Sequence, residues 1–506
     1  MNTIIHQKLL LSLLSGLFIG LSYPPLPLGF FAWFGLIPLF LSLEGSDYKE
    51  SLKYGYSAGI TAHFIVLYWI GFNSGAGFVP VFLSLIGAIF YLSLFWGLFA
   101  VTLQFFLQEK TIFLWFAPLI WVTMEWLRSL GPLGFPWMDL ALTQSRFIQF
   151  IQIMDVTGSS GVSLWILILN VLLYFAITVR KGNRIYSIAA ISLLVVLWLF
   201  GSHKIKSVEK DFIGKSIVVA VTQPSVDPNE KWEKDHRKQT FELMHQLLDK
   251  AVELDPDMIV WPETALPSYL RLSGKDRSPI QEKVNRYEIP LFSGTIDREN
   301  SEEGKPLYFN GSIFFQPHKL PEIYHKVKLV PFAEYVPLSG YFPSLNDLNF
   351  GQGNFTAGKE FTLFQFDNFS FSNLICYESS LPDIVRKFVL QGAEFLTIQA
   401  NDGWLGKTSG PYQHFEIAKM RAIENRRSIV RSANTGISGV ILPTGKIKVI
   451  QSLGERVVFK ETVPLAEFTT FFSRNGNILG KWVSLIFIIC VGIILWIKKL
   501  QLLFYF

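Results

Sequence analysis

The chain has 506 residues, of which 50% are apolar, 15% aromatic and 17% charged, with a net charge of +5. An ordinary soluble domain is about 25% charged, so this composition excludes a disordered chain, a small disulfide scaffold and a plain cytosolic enzyme. The small net charge gives no reason to expect nucleic acid as a partner.

The charge deficit is uneven. Residues 1–201 hold 16 of the 85 charged side chains, residues 202–480 hold 66, and residues 481–506 hold 3. Crossing a bilayer takes about 20 mostly apolar residues in a helix, because backbone groups in lipid must be bonded internally. On that measure about eight transmembrane helices are expected, near 6–22, 28–43, 54–73, 78–107, 112–128, 160–179, 185–202 and 480–497. Pro/Gly and charge clusters separate them. The fourth is too long for one upright crossing. The first lacks an Ala-type small-x-small cleavage site and is followed at once by a second span, so it reads as a retained helix and not as a signal peptide.

With the N-terminus on the cytoplasmic side, the short loops there hold Lys8, Lys49, Lys53, Lys110, Arg180, Lys181, Arg184, Lys498 and Lys499. The far side holds Arg128 and Arg146. Nine against two follows the positive-inside bias. It puts both termini in the cytoplasm and the polar block on the far side, the periplasm of a bacterium. The domains expected are residues 1–202 with seven spans, a periplasmic domain at 203–479, and a last helix with its tail at 480–506. The loop at 125–155 holds Glu125 and Arg128, three apart and able to pair, and Gly134-Phe135-Pro136-Trp137. It reads equally as an interfacial anchor and as a lipid-facing floor for a site above it.

The polar block alternates strands and helices. Short apolar or β-branched runs at 216–222, 258–261, 289–295, 311–315, 371–375, 395–399, 428–432 and 439–442 predict strands, and the spacing over 235–254 predicts a helix. This is a layered α/β domain large enough for one core. Glu263 and Cys376 stand where such strands end, and Lys326 lies in a segment of the same kind. A thiol with a free pKa of about 8.5 needs a base or a cation beside it to act as a nucleophile. A carboxylate can carry its proton, and an ammonium can stabilise an oxyanion. Each residue alone has a blander reading: a buried thiol, a helix-start carboxylate, a solvated lysine. Spacing does not show that they meet. The two cysteines, Cys376 and Cys490, form no disulfide framework because Cys490 lies in the apolar tail. The eight scattered histidines suggest no metal set, and no Gly-rich phosphate loop opens a helix, so neither metal nor cofactor is expected.

Trp261-Pro262-Glu263, the segment around Lys326, and Cys376-Tyr377-Glu378 resemble the Glu, Lys and Cys motifs of the nitrilase, or carbon–nitrogen hydrolase, superfamily. The stretch Leu329 to Pro337, Asn401-Asp402-Gly403-Trp404, Gly410 to His414, Lys231-Trp232 and Gly134 to Trp137 resemble the apolipoprotein N-acyltransferase family more narrowly. The resemblance spans nearly the whole chain. It implies an αββα sandwich in the polar block and a membrane acyltransferase that completes lipoprotein maturation. A fatty acyl chain would move from a phospholipid, with phosphatidylethanolamine the expected donor, to the α-amino group of the diacylglyceryl-cysteine that begins an apolipoprotein.

The resemblance further implies Glu263 as base, Lys326 at the oxyanion and Cys376 as the nucleophile forming a thioester. Glu334, Tyr377 and Glu378 match as supporting residues. Trp232, Asn401, Asp402 and Trp404 match positions suited to substrate contact or to the pocket wall. His414 reads as a satisfied core histidine. Ala333 stands where the family commonly has Gly, and a positive φ there would strain it by roughly a kcal/mol. Loops 266–280 and 338–358 read as flexible covers over a lipid entrance. A membrane-tethered amidase with the same triad, and a non-catalytic scaffold, are the rival readings. The spans and the Leu329–Pro337 stretch argue against the amidase, and the intact triad argues against the scaffold.

Overall fold

The helices of the apolar block follow the hydropathy, with breaks that have visible causes. The computed structural model describes residues 2–212, 214–337, 339, 341 and 354–504. They divide into two compact units. The first comprises 1–68, 86–202 and 475–506, and the second 69–85 and 203–474.

In the first unit, helices α1 (Asn2–Leu21), α2 (Ile37–Leu43), α3 (Tyr48–Leu67), α4 (Phe78–Leu107), α5 (Ala117–Arg128), α6 (Met154–Thr178) and α7 (Asn183–Asp211) run in chain order, although the last turns of α7 and the first of α4 group with the second unit. Among the described residues, α4, α6 and α7 are long and apolar enough to cross a bilayer. Three shorter apolar stretches are helical at 6–21, 29–43 and 478–494. At 30 residues α4 is about 45 Å long, against a hydrocarbon core of about 30 Å.

The stretch expected as a single span at 28–43 is broken. A 3₁₀ turn at Gly29–Trp33 precedes α2, and the break frees backbone groups. Asn170 on α6 serves two of them, accepting from the Leu36 N–H at 2.9 Å and donating to the Ala32 carbonyl at 2.8 Å. Gln144 donates to the Gly29 carbonyl at 2.9 Å. A buried polar side chain in lipid is tolerated for this purpose. Glu125 and Arg128 do not pair as their spacing suggested. Arg128 donates to Asp139 at 3.0 Å, and Glu125 accepts from the Trp121 indole at 2.9 Å and the Leu140 N–H at 2.7 Å. The turn at 131–139 brings an acid and a backbone donor that no helix-face argument contains.

The second unit holds two six-stranded sheets. The first orders β12 (Val457–Pro464), β1 (Ser216–Gln223), β2 (Met258–Val260), β3 (Leu291–Asn300), β4 (Pro306–Phe315) and β5 (Glu322–His325). The second orders β11 (Ile447–Ile450), β10 (Gly439–Ile441), β9 (Ser428–Ala433), β8 (Phe395–Ala400), β7 (Phe369–Ile375) and β6 (Phe364–Phe366). The three central strands of each, β1–β2–β3 and β7–β8–β9, are parallel and, apart from the exposed end of β3 at 298–300 and the first residue of β1, largely covered, which is why they read as continuous apolar runs. The strands that sequence missed, β5, β6, β11 and β12, are short or half exposed, so their hydrophobic signal is weak.

One core lies between the sheets. Val219, Val221, Val260, Phe292 and Phe314 of the first meet Phe364, Phe371 and Phe395 of the second. The rings of Phe292 and Phe371 stand 5.0 Å apart at 86°, an edge-to-face pair. The opposite face of the first sheet (Ala220, Ile259, Ile313) packs on α8 (Lys234–Val252) and α9 (Gly274–Tyr287). Phe388 of α10 (Pro382–Leu390) and Ala418 of α11 (Ser409–Asn425) join the core that includes Leu396 and Ile429. The result is the αββα sandwich that the resemblance implied.

One of the two loop expectations changes, and the other falls outside the described residues. Residues 266–280 are not a loose cover: Leu266 and Leu270 are buried in the core beneath α8 and α9, and from Gly274 the chain is α9. The apolar residues that suggested a lid belong to the core. Residues 338–358 fall outside the described residues, apart from 339, 341 and 354–358. The chain closes with α12 (Phe471–Asn475) and α13 (Ile478–Phe504).

Candidate active site

Glu263 follows β2 through Pro262. It is buried, and its Oε1 accepts from the Asn310 amide at 2.8 Å. The same amide donates to Glu334 Oε1 at 3.0 Å, so one neutral side chain on β4 ties two carboxylates together. Between like charges such a shared donor offsets part of the repulsion. Asn310 was not among the residues read from sequence. An amide side chain in the mostly apolar run 307–315 was the available signal.

Lys326 leaves β5 and is 1% exposed. Its Nζ lies 2.9 Å from Oε1 and 2.8 Å from Oε2 of Glu334. Burial alone would lower its pKa. The carboxylates of Glu334 and Glu263 outweigh that and hold it above its ordinary value, so it stays an ammonium at every physiological pH. Glu334 is itself oriented by the Val330 N–H at 2.8 Å. The positive φ in this loop falls on Phe332, at 64°, and Ala333 is free of it, so the strain anticipated at Ala333 does not arise.

Cys376 ends β7 and opens a 3₁₀ turn that leads into α10. Its backbone is left-handed, with φ at 50°. Burial pushes the thiol well above its usual range, the Glu263 carboxylate adds to this, and the Lys326 ammonium pulls it back. Burial likewise raises Glu263, while Lys326 lowers it. The three side chains thus bear on one another electrostatically.

Glu378 closes the frame. Its Oε1 accepts from the Tyr324 hydroxyl at 2.8 Å, the Val327 N–H at 2.8 Å and the Lys328 N–H at 3.1 Å, and its Oε2 from the Ile375 N–H at 2.8 Å. Burial pushes its pKa up to about 7, opposed by Lys326 and these donors. One carboxylate therefore fastens the segment after Lys326 to the strand before Cys376. Beneath it, a buried amide network joins the sheets. Ser312 of β4 donates to Gln399 of β8 at 2.5 Å, Asn373 of β7 donates to Ser312 at 2.9 Å, and Gln399 donates to the Trp261 carbonyl at 2.8 Å.

The remaining residues lie further out or are engaged elsewhere. Tyr377 is buried beside Cys376. Trp232 is 45% exposed, next to Lys231, whose buried amine donates to the Thr264 carbonyl at 2.9 Å and is pushed down to about 8 by burial. Asn401 accepts from Asn434 at 3.1 Å. Trp404 is half buried, and its carbonyl accepts from the Ser74 N–H at 2.8 Å. Asp402 is buried, and its carboxylate is taken up by Arg431 at 2.7 Å and His414 at 2.8 Å. Burial would raise Asp402, but Arg431 and His414 bring it down to about 2.

Cys376, Asp402 and His414 bring one donor atom each within 4.8 Å of one another, a grouping that linear spacing did not announce. Asp402 is already neutralised by the Arg431 guanidinium, and both ring nitrogens of His414 face protein atoms. That arrangement favours a hydrogen-bonded network over a metal.

Comparison with known proteins accords with this architecture. Residues 15–172 match the apolipoprotein N-acyltransferase N-terminal domain, and residues 218–469 match the carbon–nitrogen hydrolase family. Proteins named apolipoprotein N-acyltransferase are similar from end to end. The one from Chlorobaculum tepidum is 30% identical, over 97% of this chain and 96% of its own. The one from Geobacter metallireducens is 30% identical, over 95% and 94%. An amidase from Nesterenkonia sp. aligns over 53% of this chain and 98% of its own, at 18% identity and a TM-score of 0.39, a likeness too slight to bear on activity. With both regions matched and whole-length relatives at this identity, the chain belongs to the apolipoprotein N-acyltransferase family.

Proposed function

We propose that this protein is an acyltransferase that moves a fatty acyl chain from a phospholipid to the α-amino group of the N-terminal diacylglyceryl-cysteine of apolipoproteins. The observation that carries this is the 30% identity, from end to end, to proteins named for that reaction. Glu263, Lys326 and Cys376 are the catalytic residues, and Glu334, Tyr377 and Glu378 support them. Trp232, Asn401, Asp402 and Trp404 are assigned to the substrate side.

In the first half-reaction the Glu263 carboxylate takes the Cys376 proton, and the thiolate attacks the ester carbonyl. Lys326, kept protonated by its two carboxylates, stabilises the oxyanion. The carbon–oxygen bond to glycerol breaks, the proton on Glu263 passes to the leaving alkoxide, and a thioester remains. In the second half-reaction the amine attacks the thioester. Its proton passes through Glu263 to the departing sulfur, leaving an amide and a free thiol. A thioester acylates an amine far more readily than a phospholipid ester does, which gives the two-step route its reason. Burial raises both the thiol and the base, and the Lys326 ammonium favours the thiolate against that burial.

On this reading the chain lies in the inner membrane of a bacterium with eight spans, both termini cytoplasmic, and the domain at 203–479 in the periplasm. A membrane site spares both substrates the cost of leaving lipid, about 0.8 kcal/mol per CH₂. Phosphatidylethanolamine is the donor to test. Intact mass after incubation with it should show one added acyl chain, removed by hydroxylamine and absent from Cys376→Ala. Lipid left unconsumed with no adduct would overturn the donor and return the amidase reading.

A further inference from the structure

The nucleophile is held by its backbone as well as by its thiol's neighbours. Cys376 sits in a conformation that L residues rarely adopt, so something must fix it there. Its carbonyl oxygen accepts from the Ser379 hydroxyl at 2.8 Å and lies 3.0 Å from His414 Nε2. The far nitrogen, Nδ1, lies 2.8 Å from Asp402 Oδ1. Asp402 is anchored by Arg431, whose Nε donates to the Ile437 carbonyl at 3.0 Å. His414, Asp402 and Arg431 are all at least 98% buried. They come from α11, the turn at 402–405 and β9.

A carbonyl and a carboxylate only accept. The Cys376 carbonyl therefore needs the hydrogen on Nε2, while Nδ1 faces Asp402 and, at 3.0 Å, Arg431 Nη2; the Ser379 hydroxyl also lies 2.9 Å from Nε2, and burial and Arg431 lower the ring's pKa. We propose that His414 is a positioning residue for the nucleophile: seated on Asp402 and Arg431, it clamps the Cys376 carbonyl and so aims the thiol at Glu263 and Lys326. Asp402 holds His414 from its other ring nitrogen. Losing the ring would free the backbone that aims the sulfur.

The proposal rests on Cys376 being the nucleophile, and its test reads the thiol with no lipid present. Full-length protein in detergent, with Cys490→Ser so that one thiol remains, is alkylated with iodoacetamide from neutral to alkaline pH. His414→Ala should lower the rate about tenfold and move its midpoint to higher pH, as expected when Cys376 loses the hydrogen bond that keeps its thiol aimed at the Lys326 ammonium. His414→Gln, whose terminal amide can reach the carbonyl, should restore most of the rate. His414→Asn, whose amide reaches only the Asp402 side, should not. Acyl-enzyme formation should follow the same order through its maximal rate, with half-saturation by lipid unchanged.

Equal rates for Gln and Asn, or a wild-type rate and midpoint for Ala, would overturn the proposal. If His414→Ala fails to fold, the Gln and Asn pair still decides the matter. Alkylation in the proposed order with no acyl transfer in any form would leave the clamp standing and overturn the acyltransferase reading instead.

Discussion

At the scale of single residues, the site is governed by how few donors serve how many carboxylates. Glu263, Glu334 and Glu378 are all buried, with two buried lysine amines bearing on them, Lys326 on all three and Lys231 on Glu263. Asn310 is the neutral residue that lets two of the three coexist. Asn310→Ala should therefore slow acyl-enzyme formation by roughly tenfold to a hundredfold, the order of one or two lost hydrogen bonds to charge. The pH profile should move as well. As a base, Glu263 must be ionised, so activity falls as pH drops through its pKa, which burial has already raised. Removing a donor that favours the ionised form raises that pKa again. The acid limb of Asn310→Ala should lie at higher pH than that of the wild type. A limb that stays in place would show that Glu263 is not the group titrating.

Glu378 tests a different point. All four groups aimed at it are donors. Glu378→Gln would set an amide NH₂ against one of those N–H or O–H groups, at a cost of about 1–3 kcal/mol in thermal or denaturant unfolding. The sequence did mark Glu378 as a partner of the cysteine through its motif. It could not show that the carboxylate reaches the Lys326 segment, because 51 residues separate Glu378 from Val327.

At the scale of elements, strand ends place the chemistry and close backbone contacts hold the ends in place. Gly294 on β3 shows this. A Cβ there would lie 2.5 Å from the Pro262 carbonyl oxygen, 2.5 Å from the Thr264 nitrogen and 2.6 Å from the Glu263 Cα. The Glu263 turn is pressed against β3 and has no room to retreat without moving its side chain. Gly294→Ala should cut the acylation rate about a hundredfold, the usual consequence of shifting a catalytic group by about 1 Å. A smaller loss of half-saturation than of maximal rate would separate misplacement from poor lipid binding. The central strands were legible because a strand buried on both faces is apolar along its length. The edge strands were not, and neither was the nature of 266–280. Leu266 and Leu270 look alike to the sequence whether they cap a core or line a lid.

At the scale of the whole molecule, residues far apart in sequence share one unit. Trp69 is 7% exposed, its indole donates to Gln413 at 3.0 Å, and the segment 69–85 groups with the two sheets. Trp69→Ala should destabilise that unit by about 3–5 kcal/mol, read as a fall in its unfolding midpoint. Acid titration gives a second test. Asp402 has a folded pKa of about 2, against about 3.9 in an unfolded chain. Its contribution to stability is complete above the unfolded value and is lost as pH falls through the folded one. Asp402→Asn should flatten the stability curve between about pH 4 and pH 2. It should also destabilise the protein at neutral pH, because Arg431 is left buried with no counter-ion.

The sequence alone determined the division into apolar and polar blocks, the central strands and the motifs that mark the family. Each of these is a property of consecutive residues: hydropathy sums over a span, alternation repeats along a strand, and a motif is read in one place. The tertiary structure decided which groups share a charge or a proton. Asn310 between two carboxylates, Arg128 on Asp139 rather than Glu125, and His414 between Asp402 and the Cys376 carbonyl all join residues from different elements. Electrostatics and hydrogen bonding act over a few ångströms in space, and chain distance carries no record of which distant residues those few ångströms will contain.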